Sequence, residues 1–286
     1  SQWFDARDIL ITDSRYRDAR VNWEMSASRI SPLERALSEK KVCVIQGFIG
    51  STSEGHSTSL GREGSDFTAA IMAYLLDATD VTIWKDVPGM LNADPKKFSD
   101  TVKLDRISFK EAIELAYYGA SVIHPKTIKP LQNKGIPLHI KSFVDPNASG
   151  SIIQEGGESD QLVPSYIVKE NQTLFSISTR DFSFIVEDNL KEIFGTLSEL
   201  GIRVHLMENS AISFSIVFDT DKHKQQLLIE QLLDKYSVKF NEELTLLTIR
   251  HGNDESLKKL KNAGQTLIEQ RTRHTMRMVM KPQKTQ

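Results

Sequence analysis

The sequence has 286 residues, is 39% hydrophobic and carries a formal net charge of −2. That is enough chain for two domains with an ordinary core. The interspersed charges give no basic surface for nucleic acid. Apolar runs stay short of the roughly 18 residues of a membrane span, and no leader pattern is present, so a cytoplasmic protein is expected. The single cysteine, Cys43, excludes an intrachain disulfide. Its run Val42-Cys43-Val44-Ile45 reads as a small buried hydrophobe. Ser1 in place of Met suggests a processed or truncated chain.

In chain order, Val42–Phe48 is an apolar run closed by glycines and predicts a buried strand. A Ser/Thr/Gly loop, Ser51–Gly64, precedes helical spacing over Asp66–Asp77. Val81–Trp84 predicts a strand, and Pro88-Gly89 a turn. Ser108 and Glu111 form a capping-box pattern for a helix to about Tyr118, with Gly119 as its cap. A further helix, Lys126–Lys134, follows Pro125 and ends at Gly135, and Ile136–Phe143 alternates like a strand. Such strand–helix alternation predicts an α/β domain with a largely parallel sheet.

Around Asn147–Asp160 the periodicity lapses, which places a boundary near Pro164. Beyond it come strand Thr173–Ser178, helix Asp188–Leu200, strands Ile202–Met207 and Ala211–Phe218, and helix Lys222–Tyr236. This βαββα order predicts a ferredoxin-like βαββαβ module. A shorter copy follows as strand Leu244–Arg250, helix Glu255–Asn262, and strands Gln265–Arg271 and Thr275–Met280. The expected domains are therefore 1–164, 165–240 and 241–286.

Gly61-Arg62-Glu63-Gly64-Ser65-Asp66 is the segment richest in chemistry. Glycines admit close backbone approach to a ligand. The helix that follows points free N–H groups and partial positive charge at an anion. The Arg62 guanidinium matches a carboxylate. The plainer alternative is a loop in which Ser65 or Asp66 merely caps the helix. The glycine spacing is not that of a Walker loop. His56 reads as a solvated loop residue, and His124 as a cap or packing residue. No Cys/His spacing suggests a metal site, so no protein-held metal is expected.

The runs Gln46-Gly47-Phe48-Ile49-Gly50, Thr58-Ser59-Leu60-Gly61-Arg62-Glu63-Gly64-Ser65-Asp66, Trp84-Lys85-Asp86-Val87-Pro88-Gly89, Ala93-Asp94-Pro95 and Gly119-Ala120-Ser121-Val122-Ile123-His124-Pro125 together resemble the aspartate kinase family. The resemblance covers nearly the whole chain and fades after about Asn241. It implies an amino-acid-kinase α/β fold, seen from its C-terminal part, followed by ACT regulatory modules. Phe48, Arg62 and Ser65 would bind L-aspartate, with Arg62 on the α-carboxylate. Asp66 would orient groups near the transferred phosphoryl, and Lys85, Asp86, Leu91 and Lys96 would contact ATP. The implied reaction moves the γ-phosphoryl of ATP, with Mg²⁺, onto the β-carboxylate of aspartate. That is the first step toward lysine, threonine and methionine. The family's Lys-Phe-Gly-Gly segment and a substrate-binding glutamate from the same portion are absent, so this chain alone is expected to be catalytically incomplete. Glu63 stands where many relatives have glycine, and Ser121 where some have a nucleotide-contacting lysine that Lys126 could replace.

The resemblance also implies a homodimer through the ACT modules and an amino-acid effector, lysine or threonine. The effector positions would be Ser183, Val186, Asn189, Leu190, His205, Asn209 and Ser210. Lysine-sensing relatives often carry aspartate where His205 stands. The alternatives are a non-catalytic sensing or dimerisation chain, and an acyl-phosphate kinase for glutamate or carbamate.

Overall fold

The computed structural model describes residues 1–120, 122–156, 163–181, 183–253 and 264–282. The chain divides into two units, Ser1–Leu162 and Val163–Gln286. The helix expected over Glu255–Asn262 and position Ser121 lie outside the described residues.

The first unit opens with β1 (Gln2–Phe4), α1 (Ala6–Ile9), α2 (Trp23–Ser28), α3 (Ser31–Ser38) and β2 (Cys43–Ile45). A hairpin of β3 (Ile49–Ser51) and β4 (Ser57–Ser59) leads into α4 (Gly64–Leu75) and β5 (Val81–Lys85). Then come β6 (Arg106–Ser108), α5 (Phe109–Tyr118), α6 (Pro125–Lys134), β7 (Leu138–Ser142) and β8 (Ser151–Gln154). Leu10, Ile30, Leu33, Leu60 and Ile71 form a shared core that anchors α4 on α1 and α3. Local chemistry sets the helix ends. The Ser108 hydroxyl accepts from Glu111 N–H at 3.1 Å. Gly135 closes α6 in the left-handed region, φ 64°. The His124 imidazole caps α6 by accepting Lys126 N–H at 3.1 Å, the capping alternative of its sequence reading.

Two strand readings change, within a sheet that is largely parallel as expected: in β5-β7-β8-β6, β5–β7 and β6–β8 are parallel and β7–β8 is antiparallel. A short loop, not a helical crossover, joins β7 to β8, and short loops connect antiparallel neighbours. The β8 strand itself was missed, because its Ser and Gln positions hide the alternation. The strand expected over Val42–Phe48 is only Cys43–Ile45, paired in parallel with β1. Its residues are not buried: Val42 and Val44 are exposed, as is Trp3 opposite, and Cys43 is half-buried.

The second unit holds one antiparallel six-stranded sheet, ordered β10-β11-β9-β12-β14-β13. Its strands are β9 (Ser165–Thr179), β10 (Val204–Asn209), β11 (Ser213–Asp219), β12 (Tyr236–Arg250), β13 (Gly264–Arg271) and β14 (Thr275–Pro282), with helices α7 (Glu187–Glu199) and α8 (Lys222–Leu232). Strands β9, β10, β11 and β12, with α7 and α8, reproduce the ferredoxin-like order. Phe175, Phe214, Phe218 and Tyr236 pack under Ile193 and Leu197 of α7 and Leu228 and Leu232 of α8. The opposite face is closed by Leu174, Leu206, Val217, Leu246 and Val279.

Strands β9 and β12 each serve two neighbourhoods. Tyr236–Asn241 pair with the 174–179 half of β9, and Leu246–Arg250 with its 165–169 half. The pairing shifts register between Asn241 and Leu246. There Asn171 and Glu243 take positive φ, 54° and 57°, as extra residues in a bulged ladder do. The division expected at 240/241 falls within the single strand β12.

Candidate functional site

The Gly61–Asp66 segment forms the entrance to α4. Helix N-termini carry unpaired N–H groups, and a side-chain cap normally satisfies one of them. Here the N-cap is Glu63, in the left-handed region with φ 54°, and it makes no side-chain capping bond. Neither Ser65 nor Asp66 is the cap, so the plain capping alternative is set aside. Both lie inside the helix, with Ser65 exposed. Arg62 projects outward with 76% of its side chain accessible, and its Nε is 3.9 Å from Glu63 Oε1.

Phe48 is brought onto this entrance. Its N–H donates to Thr68 Oγ1 at 3.0 Å, and its carbonyl accepts Leu60 N–H at 2.8 Å. Phe48 also has positive φ, 77°, an uncommon state for an aromatic residue. The approach explains Gly64, because a Cβ there would lie 2.7 Å from the Phe48 ring. Phe48, Arg62 and Ser65 thus share one entrance, and two neighbouring non-glycine residues on it hold strained backbones. Such strain concentrates at binding sites.

Asp66 and Lys85 carry the longer-range connection. Lys85 Nζ lies 2.6 Å from Asp66 Oδ2, and both side chains are largely withdrawn from solvent. This pair joins the α4 entrance to the carboxyl end of β5, where open α/β sheets bind ligands. Asp86, next in sequence, is exposed. Leu91 forms an isolated bridge with Lys103. Lys96 is exposed, and its N–H donates to Asp94 Oδ1 at 2.9 Å. Lys85 and Asp86 therefore adjoin the entrance, whereas Leu91 and Lys96 sit on the excursion between β5 and β6.

Sequence reasoning missed Asp18. A Cβ on Gly61 would come within 2.6 Å of Asp18 Oδ1, and the same carboxylate pairs with Lys126. Lys126 is therefore tied to the back of the Gly61 turn through Asp18. The pairing spans more than a hundred positions, so no local pattern signals it.

In the second unit the candidate effector residues divide. Ile185 N–H donates to Ala211 O at 2.9 Å, bringing the 183–186 segment beside the β10–β11 turn. Ser210 pins that turn through Ser213, with hydroxyls 2.7 Å apart, and Asn209 is exposed at its start. The Ser183 hydroxyl donates to Asp181 at 2.7 Å. Val186 N–H donates to Asn189 Oδ1 at 3.0 Å, and Asn189 Nδ2 donates to Tyr236 OH at 3.1 Å. Leu190 packs on the core. His205 departs from the group. It is the unpaired residue at the bulge between Val204 and Leu206, with only 6% of its side chain accessible. Its Nε2 is 2.9 Å from Asp219 Oδ2, and its Nδ1 is 3.2 Å from Lys169 Nζ. Burial pushes the imidazole below its ordinary value, and the Lys169 charge adds to this against the Asp219 contact. Burial also pushes Asp219 up, but its bonds to Gln172 and His205 hold it below the ordinary carboxylate value.

Among the described residues no group of three or more His, Cys, Asp or Glu is arranged to hold a metal. None of their helices is long and apolar enough to cross a membrane.

Residues 2–142, the stretch that holds this glycine-framed helix entrance, match the amino acid kinase family. The chain is 36% identical over 267 residues to lysine-sensitive aspartokinase 3 of Escherichia coli, covering 90% of this chain and 58% of that protein. The structure of E. coli aspartokinase III in complex with aspartate and ADP superposes with a TM-score of 0.81 at 29% identity, covering 98% of this chain and 66% of that one. The complex of the same enzyme with lysine and aspartate gives 0.78 at 30% identity, covering 98% and 65%. The chain is thus similar to aspartokinases over nearly its whole length, with a segment that matches the amino acid kinase family followed by a ferredoxin-like region. It spans little more than half the length of the E. coli relative.

Proposed function

We propose that this chain provides the aspartate-gripping and nucleotide-facing part of an aspartate kinase. The reaction transfers the γ-phosphoryl of ATP to the β-carboxylate of L-aspartate. The Asp66–Lys85 pair carries the reading, because it joins a carboxylate-binding helix entrance to the end of β5 at 2.6 Å. A carboxylate attacking a phosphate brings two anions together, so catalysis consists mainly of positioning and charge neutralisation. Arg62 holds the α-carboxylate, Ser65 offers a hydroxyl to the substrate, and the Phe48 ring forms a wall. Asp66 fixes the Lys85 ammonium toward the phosphoryl. Asp86, Leu91 and Lys96 line the nucleotide side. Mg²⁺ would arrive with ATP, held mostly by phosphates and water. Bound there, it neutralises phosphate charge.

In the second unit, residues 172–241 form one ACT module. The 165–170 half of β9 joins β12, β14 and β13 in a second. A free amino acid, lysine or threonine, binds near the 183–186 segment and the Ser210 turn and adjusts activity, and the modules pair two chains. The reading implies a protein of the cytoplasm, where its nucleotide and amino acid are present.

The test of the catalytic part is a titration with aspartate and, separately, with ATP. Arg62→Ala should weaken aspartate binding and leave ATP binding nearly unchanged. Equal losses for both would contradict the assignment. Calorimetry with lysine, threonine and methionine tests the regulatory part, and no heat from any of them on the folded protein would count against it.

A further inference from the structure

We propose that Glu63 is a specificity-determining residue, the acceptor for the ammonium group of the amino-acid substrate. The inference rests on the aspartate-site reading above and adds the group that distinguishes an amino acid from a plain dicarboxylate.

Three observations meet at this residue. Glu63 holds a left-handed backbone, φ 54°, a conformation that favours glycine and strains a longer side chain. Its carboxylate stays at the α4 entrance without capping the helix. Its Oε2 is covered and has no hydrogen-bond donor, on a side chain that keeps 18% of its surface accessible at the entrance. A carboxylate oxygen withdrawn from water without a donor is costly, and its field is little screened. The nearby cation does not satisfy it: Arg62 Nε lies 3.9 Å from the other oxygen, on a side chain that is 76% accessible. That separation is too long for a hydrogen bond, and so exposed a contact contributes little.

Arg62 and Glu63 thus present a guanidinium and an under-compensated carboxylate side by side. A zwitterionic amino acid carries a carboxylate and an ammonium on one carbon, with the complementary order of charges. When the guanidinium turns to the substrate carboxylate, the ammonium supplies the positive charge that Glu63 lacks. The same pair repels a dicarboxylate without an ammonium, because Glu63 then faces only negative charge.

The experiment titrates the full-length protein that carries this chain with L-aspartate and with succinate, its amine-free counterpart, following the Ser65 amide by NMR. The unaltered protein should prefer aspartate by about tenfold or more, as loss of a charged hydrogen bond implies. Glu63→Gln should erase most of that preference by weakening aspartate, leaving succinate equal or tighter. Arg62→Ala should weaken both acids. A preference that survives in Glu63→Gln, or tightening of both acids by the same factor, overturns the Glu63 role while the Arg62 result upholds the site. If neither acid binds the unaltered protein, or Arg62→Ala changes neither, the aspartate-site reading fails and the inference with it. Amide spectra of both variants, matched away from the loop, confirm that they fold.

Discussion

The α4 entrance and the β10 edge of the second unit both concentrate polar side chains, yet they use them in opposite ways. At the entrance Arg62 and Ser65 are exposed, and Glu63 is left without a donor. At β10 the polar groups are held mainly by the protein: His205 is wedged between Lys169 and Asp219, although its Nε2 makes no well-formed hydrogen bond, and Ser210 is bonded to Ser213, while Asn209 stays exposed. Polar groups already satisfied by the protein hold its shape, and those left over are available to a ligand. By that contrast, substitutions at the entrance should change binding more than stability, and substitutions around β10 the reverse.

The largest effect expected in the second unit is on its core. Phe175 is fully buried and stacks edge-on with Phe218 at 5.1 Å. Phe175→Ala should cost about 3–5 kcal/mol, seen as an earlier denaturant midpoint by circular dichroism. At the entrance, Arg62→Ala should weaken aspartate about tenfold to a hundredfold. It should move stability by no more than about 0.5 kcal/mol, as for other exposed positions. A large loss of stability there would break the contrast.

His124→Ala should remove the α6 cap at a cost of about 1 kcal/mol, read from the same denaturation curves. His205 sharpens the contrast through pH. Its folded-state value lies below the ordinary 6.5, so the unfolded chain binds the proton more readily. The contribution is therefore complete above about pH 6.5 and is lost as pH falls through the depressed folded value. His205→Gln should flatten this slope, measured as midpoint against pH, and an unchanged slope would show that His205 does not carry it. The smallest effect is at Ser210: Ser210→Ala should leave core stability within about 0.5 kcal/mol and weaken effector heats if the turn belongs to the effector site.

Much of this was legible along the chain because it depends on near neighbours. The Ser108–Glu111 cap, the Gly135 stop and the order of elements in the second unit all follow from spacing within a few residues. The α4 entrance was legible for the same reason, since Arg62, Ser65 and Asp66 are consecutive or nearly so. The length of β9 and β12 was not. Polar residues at their centres, Lys169–Gln172 and Asn241–Glu243, break the alternation where the ladder bulges. Nor was the burial of His205, because a bulge turns a side chain by adding one residue, and that addition exists only relative to the partner strand.

The α/β and ferredoxin-like classes, the ends of α5 and α6 and the glycine-framed loop proposed to meet a carboxylate are thus readable along the chain, because periodicity and capping act over one or two turns. Only the tertiary structure decided that Lys85 reaches Asp66, that Asp18 ties Lys126 to the Gly61 turn, and that Glu63 keeps an oxygen without a donor. Those contacts join residues from separate elements, or depend on what covers a side chain. Their energies arise from distance and desolvation, which no spacing along the chain records.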